Sequence, residues 1–257
     1  MAFPVFALHG FTGCGDDFDA LQRCCPTDWQ WHCPDLPGHG QNPLPPEEGK
    51  ISLAAHLAFL ESARTAACAD QPCILLGYSM GGRLALHWYL QNPAAFAALI
   101  LIGSSPGIED DSLREKRAAS DRQLAEKILQ RGTARFLERW WANPLFAGLQ
   151  RLPLGQRHAL RHRRLQNTPA GLAASLRGVG TGELPSLWNR LPEITAPALF
   201  LAGQLDQKYL GVAKRMARHA PNARTATIPL AGHVAHLENP ECVAREILHF
   251  LGQSLRT

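Results

Sequence analysis

Residues 77–86 read GYSMGGRLAL, and they join two patterns that do not belong to one element. The run before them, CILL at 73–76, is short and apolar like a buried strand, whereas RLALHWYL after them has helical spacing. Ser79 therefore falls on a strand-to-helix turn. In that setting G-x-S-x-G is the pattern of a nucleophile elbow, a tight and strained turn that pushes the hydroxyl out into a cleft. Gly77 and Gly81 fit because a β-carbon on either side collides with the strand or the helix. The same pattern closes ordinary βα units, so the serine needs partners elsewhere before it carries chemistry.

Working outward, strand-like runs recur at FPVFALHG, WQWHCPDL, CILLGYS, ALILIGSS, APALFLAG and RTATIPLAG, with helical patterns such as ISLAAHLAFLESARTAA and YLGVAKRMARHA between them. This alternation predicts an α/β fold, a mostly parallel sheet flanked by helices. From about Pro106 to Ile194 the strand signal vanishes and arginine-rich helical sequence replaces it. The expected organisation is a core of residues 1–105 and 195–257 with a helical cap, 106–194, inserted above the strand ends. The proline-rich NPLPPEEG reads as a loop at the mouth of the sheet.

Composition narrows the class. The 257 residues are 46% apolar and 19% charged, enough for a sizeable core, and no apolar run reaches membrane-spanning length. A start of MAFPVFALHG has neither a basic stretch nor a cleavage site, so a cytoplasmic location is expected. Seven scattered cysteines, an odd number without C-x-x-C pairs, fit free thiols in a reducing compartment and argue against a metal site. A net charge of +4 without basic–aromatic blocks argues against nucleic acid.

A serine hydroxyl is a poor nucleophile or base at neutral pH and needs an imidazole, itself oriented by an acid. PLAGHVAHLENP places His233, and FLAGQLDQKY places Asp206, in loops directly after strand-like runs. In a parallel sheet both loops share the carboxyl edge with Ser79. The rivals are His236, expected to pack at the start of the following helix, and Asp35 in PDLPGHG, which could equally hold its own loop. Two backbone N–H groups would form an oxyanion hole, one from Met80 after the serine and one from Phe11 in LHGFTGCG.

Arg83 lies one helical turn beyond Ser79 among residues that look buried, where a guanidinium either pairs with a structural carboxylate or faces the cleft to bind an anion. Eleven arginines between Arg114 and Arg164 favour a cationic pocket for an anionic small molecule.

LHGFTG, PDLPGHG, GYSMGGRLAL, AGQLDQKY and GHVAHLENP together resemble the α/β-hydrolase superfamily along essentially the whole chain. Within it, the arginine of GYSMGGR and the arginine-rich cap resemble the 2-succinyl-6-hydroxy-2,4-cyclohexadiene-1-carboxylate synthases of menaquinone biosynthesis. That resemblance implies elimination of pyruvate from 2-succinyl-5-enolpyruvyl-6-hydroxy-3-cyclohexene-1-carboxylate without metal or organic cofactor. It implies a triad of Ser79, Asp206 and His233, and substrate contacts from Arg83, Arg117, Arg164, Tyr78 and Trp140. Arg122, Arg163 and Trp141 are the neighbouring alternatives in the cap.

Overall fold

A computed structural model describes residues 4–42, 49–68 and 71–254. The proline-rich stretch at 43–48, read above as a loop, lies outside them. Six parallel strands form one sheet in the order β2-β1-β3-β4-β5-β6. They are β1 Pro4–Leu8, β2 Gln30–His32, β3 Cys73–Tyr78, β4 Phe96–Ile102, β5 Ala198–Gly203 and β6 Ala223–Ile228. Each coincides with one of the runs expected from the sequence. Every residue of β1, β3 and β5 is buried, which is why these strands read as unbroken apolar runs rather than alternating ones.

Strand alternation divides the core into two layers. Phe6, Leu8 and Leu75 face helices α2 (Leu53–Cys68), α3 (Met80–Gln91) and α7 (Gln207–His219), packing with Leu60, Trp88 and Met216. Val5, Ala7, Ile74 and Leu76 face the opposite side, against Phe18, Leu21 of α1 (Asp19–Arg23), and Val243, Ile247 and Phe250 of α9 (Pro240–Ser254). Burying both faces supplies the hydrophobic stabilisation that a central parallel sheet requires.

Among the described residues the segment between β4 and β5 contains helices and turns but no strand. It comprises α4 (Asp111–Trp141), α5 (Leu154–Leu165) and α6 (Pro169–Val179). Helix α4 is broken at Gly132, whose φ of 76° leaves the helical region. A third apolar cluster, with Ile128, Phe136 and Leu137 of α4 against Leu172 and Leu176 of α6, holds this helical layer together. No helix among the described residues is long and apolar enough to cross a membrane, and all seven cysteines are free.

The strand order reverses direction at β1, whose neighbours are β2 on one side and β3 on the other. The loops leaving β1 and β3 therefore diverge and open a crevice at the carboxyl edge. Phe11 follows β1, and Ser79 follows β3.

Candidate active site

Ser79 sits at the junction of β3 and α3 with φ 51° and ψ −108°, a conformation that side chains rarely adopt. The turn survives because its surroundings over-determine it. The Ser79 N–H donates to Ile102 O at 3.0 Å, and its carbonyl accepts from Ser104 Oγ at 3.0 Å and from Arg83 N at 3.1 Å. A β-carbon on Gly81 would meet the backbone carbonyls of Leu8 and His9, and one on Gly77 would meet the Gly82 backbone. These glycines let the helix start against β1.

His233 Nδ1 lies 2.7 Å from Asp206 Oδ2, and His233 Nε2 lies 3.2 Å from Ser79 Oγ. With the carboxylate accepting the Nδ1 proton, Nε2 is left as the acceptor for the serine hydroxyl. Asp206 also caps α7, its Oδ1 accepting from Tyr209 N at 3.2 Å, so both carboxylate oxygens have assigned work. Both His233 and Asp206 are buried. The rings of Tyr209 and Phe146 pack on the imidazole, with centroids 4.7 and 6.1 Å away, and exclude water from it.

A cleft of about 500 Å³ opens over Ser79 and His233. Phe11 and Met80 line it, and Met80 begins α3, where backbone N–H groups have no partner within the helix. Arg83, Arg117, Lys208, Tyr209 and Trp140 line it as well. Arg117 Nε donates to Asp121 Oδ1 at 2.8 Å, and Asp121 Oδ2 accepts from Gly182 N at 3.2 Å. That carboxylate is occupied. Arg83 is only 8% exposed and forms no ion pair among the described residues, and its buried Nε has no hydrogen-bond partner. Burial lowers its pKa, with the neighbouring Arg117 charge acting in the same direction. A buried guanidinium without a counter-ion is costly, and its donor fork faces a cleft beside a hydroxyl. The arrangement can bind an anion and move a proton next to it.

Two expected substrate contacts are placed elsewhere. Arg164 is buried in a bidentate pair with Asp17, Nη1 to Oδ1 and Nη2 to Oδ2 both at 2.7 Å, and does not line the cleft. Tyr78 has the same parity along β3 as Ile74 and Leu76, so it joins the α1/α9 side of the core and packs on His236 at 4.5 Å. Among the alternatives, Arg122 pairs with Glu183, Arg163 approaches Asp17 at 4.0 Å, and Trp141 packs in the second core layer.

The rivals for the triad have structural work. Asp35 accepts from Gly15 N at 2.8 Å and Gln41 N at 2.7 Å, holding two loops together. His236 lies in α8 (Ala235–Glu238), fully buried against Tyr78 and Phe18, where burial lowers its pKa to about 4. Sequence reasoning missed Lys208, Tyr209 and Phe146. The first two stand two and three residues after Asp206 in the first turn of α7, a proximity that could have exposed them, whereas Phe146 comes from a short 3-10 helix far away in sequence. Among the described residues no group of three or more His, Cys, Asp or Glu could hold a metal ion.

The model of the alpha/beta hydrolase fold family matches residues 4–240. A Bacillus subtilis (strain 168) protein assigned as a 2-succinyl-6-hydroxy-2,4-cyclohexadiene-1-carboxylate synthase is 36% identical, over 96% of this chain and 89% of its own length. The synthase of that name from Enterobacter sp. (strain 638) is 33% identical over 94% of this chain and 89% of its own. Among solved structures, MenH from S. aureus superposes with a TM-score of 0.92 at 32% identity, covering 99% of this chain and 95% of that one. A thermophilic esterase from Thermogutta terrifontis, solved with malate bound, gives a TM-score of 0.83 at 25% identity, over 99% and 91% of the two chains.

Proposed function

The chain belongs to the alpha/beta hydrolase fold family, and we propose that it is a carbon–oxygen lyase that releases pyruvate from 2-succinyl-5-enolpyruvyl-6-hydroxy-3-cyclohexene-1-carboxylate. The observation that carries this reading is Arg83, a buried cation without a counter-ion among the described residues, on the wall of the cleft that holds Ser79 and His233. An enzyme acting on neutral esters gains nothing from such a group, whereas a substrate with three carboxylates supplies its missing partner. The relatives named as synthases support the same substrate.

In this mechanism Ser79 Oγ removes the ring proton while its own proton passes to His233 Nε2 across their 3.2 Å contact. Asp206 holds the tautomer and stabilises the imidazolium that forms. The charge left at that ring carbon spreads onto the succinyl carbonyl it bears, where the N–H groups of Phe11 and Met80 and the Arg83 guanidinium stabilise it. The electrons of the broken C2–H bond then form the C2=C3 double bond, the C3=C4 pair shifts to C4=C5, and the C5–O bond breaks to release the enolpyruvyl oxygen. The enolate takes up a proton and becomes pyruvate, so water is neither consumed nor produced. Lys208 supplies further positive charge to the cleft, Arg117 lines it while paired with Asp121, and Trp140, Phe146 and Tyr209 supply its apolar walls.

The deciding experiment offers the purified protein the cyclohexene substrate and, separately, a simple aryl ester, with pyruvate measured by a coupled dehydrogenase. Pyruvate release with slow ester turnover supports the lyase. Fast ester turnover without pyruvate assigns the site to ester hydrolysis with Ser79 as covalent nucleophile.

A further inference from the structure

The loop that carries Phe11 is held in an unfavourable conformation. Gly13 N donates to Gly10 O at 2.9 Å, closing a four-residue turn whose third residue, Thr12, has φ +69°. Type II turns place glycine or asparagine at that position, and a β-branched residue there is a strained exception. Strain of this kind, on the order of 1–3 kcal/mol, persists only where surrounding contacts over-determine it.

Two contacts do so. From the sheet side, His9 Nδ1 lies 2.8 Å from Gly10 O, its tautomer set because Nε2 accepts from Leu36 N at 2.9 Å. From the helical layer, Asn167 Nδ2 donates to Thr12 O at 2.9 Å and to Arg164 O at 3.0 Å. Its Oδ1 accepts from Gly40 N at 2.9 Å, and its own carbonyl accepts from Thr133 Oγ1 at 2.8 Å. The amide faces two carbonyls with its nitrogen and one N–H with its oxygen, so its orientation is unambiguous. Asn167 is 3% exposed and does not line the cleft. One buried side chain therefore joins α4, α5, the loop after β2 and the Phe11 turn.

We propose that Asn167 is a positioning residue for the oxyanion hole, aiming the Phe11 N–H at Ser79 by clamping Thr12 to the helical layer. The proposal rests on the reading of the Ser79 site given above. Since Asn167 touches the turn and both helices, the N–H is correctly aimed only while the helical layer is seated on the core. Anion stabilisation is thereby tied to closure over the cleft.

The sharp variant is Asn167→Asp, which keeps the acceptor for Gly40 N and replaces the donor to Thr12 O with a carboxylate oxygen; Asn167→Ala removes both. Phenylboronic acid is a probe that needs no substrate, because Ser79 Oγ bonds to boron, its proton passes to His233, and a boronate oxygen occupies the oxyanion hole. With one of two donors misaimed, phenylboronic acid should inhibit both variants at least about tenfold more weakly, and kcat should fall similarly while KM stays within about twofold. Thr133→Val, a milder change on the far side of the clamp, should weaken boronate binding in the same direction by a smaller factor. Unchanged boronate affinity in folded Asn167→Asp or Thr133→Val, with only a lower Tm, overturns the proposal and leaves Asn167 a structural residue. If boronate binding responds as expected but wild-type protein releases no pyruvate, the positioning role stands and the lyase reading fails.

Discussion

Arg164 and Asp17 face each other as a parallel bidentate pair, with both N···O distances at 2.7 Å and the carboxylate fully buried. Burial pushes the Asp17 carboxyl up, but the Arg164 charge and hydrogen bonds outweigh it and hold its pKa below the usual range. Removing one partner leaves a buried charge uncompensated, which costs about 3–5 kcal/mol, whereas removing both can be close to neutral. Asp17→Asn should therefore destabilise the protein strongly in urea unfolding, and Asp17→Asn/Arg164→Met should recover much of that loss. A double variant as unstable as the single one would show that the pair is not the source of the effect.

Arg83 presents the opposite case, a buried cation with no ion pair among the described residues, whose partner in the proposed function is the substrate. Arg83→Met keeps the volume and removes the unpaired charge, so the ligand-free protein should gain about 1–3 kcal/mol. Turnover of the trianionic substrate should fall by the equivalent of roughly 2–4 kcal/mol in kcat/KM, with aryl ester turnover little changed. Equal losses on both substrates, or a lower melting temperature, would make Arg83 structural.

Ser79, His233 and Asp206 are linked by hydrogen bonds of 3.2 and 2.7 Å and should act as one unit. Ser79→Ala and His233→Ala should each lower kcat severely, and the double variant should cost little more than either, measured by single-turnover kinetics. Near-wild-type turnover in folded Ser79→Ala would remove the triad from the mechanism.

Elimination and hydrolysis differ in what happens to Ser79. Elimination leaves no adduct on the serine, so intact-protein mass spectrometry during turnover should show no increase, and oxygen from labelled water should be absent from the ring product. A burst of first product with a trapped acyl adduct, or labelled oxygen in that product, would identify an acyl-transfer enzyme instead.

Acid stability should report the buried histidines. His236 is neutral in the folded protein because burial lowers its pKa from 6.5 to about 4, so the unfolded chain binds the extra proton between those values. Its contribution is present above pH 6.5 and is lost as pH falls toward 4, at most about 3 kcal/mol. His9, His39, His56 and His87 act in the same direction. His236→Phe should shrink the difference in unfolding free energy between pH 7 and pH 4.5 by about 2 kcal/mol. An unchanged difference would show that the imidazole is already solvated.

The residues legible in the sequence are those whose placement follows from local pattern. Buried parallel strands are continuous apolar runs, each loop after such a strand reaches the same edge, and a glycine-flanked serine between strand and helix can form only a narrow range of turns. The expectation that Ser79, Asp206 and His233 meet at one edge followed from their order and from the strands before them, and their side chains do lie within hydrogen-bond distance. The parity of Tyr78 with Ile74 and Leu76 was legible too, and it predicts the buried face where that ring lies.

The arginines were not legible in this way. Helical spacing says which turn a guanidinium occupies, while its role depends on whether a carboxylate from a distant segment reaches it first. Asp17 stands 147 positions from Arg164 in the chain and claims it, while Asp121, whose charge reaches Arg83, is taken up by Arg117 and Gly182. The sequence by itself determined the sheet, the turn and the order of the reactive groups, because those follow from short-range sterics and burial. Only the tertiary structure decided which buried charge is left unpaired among the described residues, because pairing of buried charges is a competition settled by long-range packing.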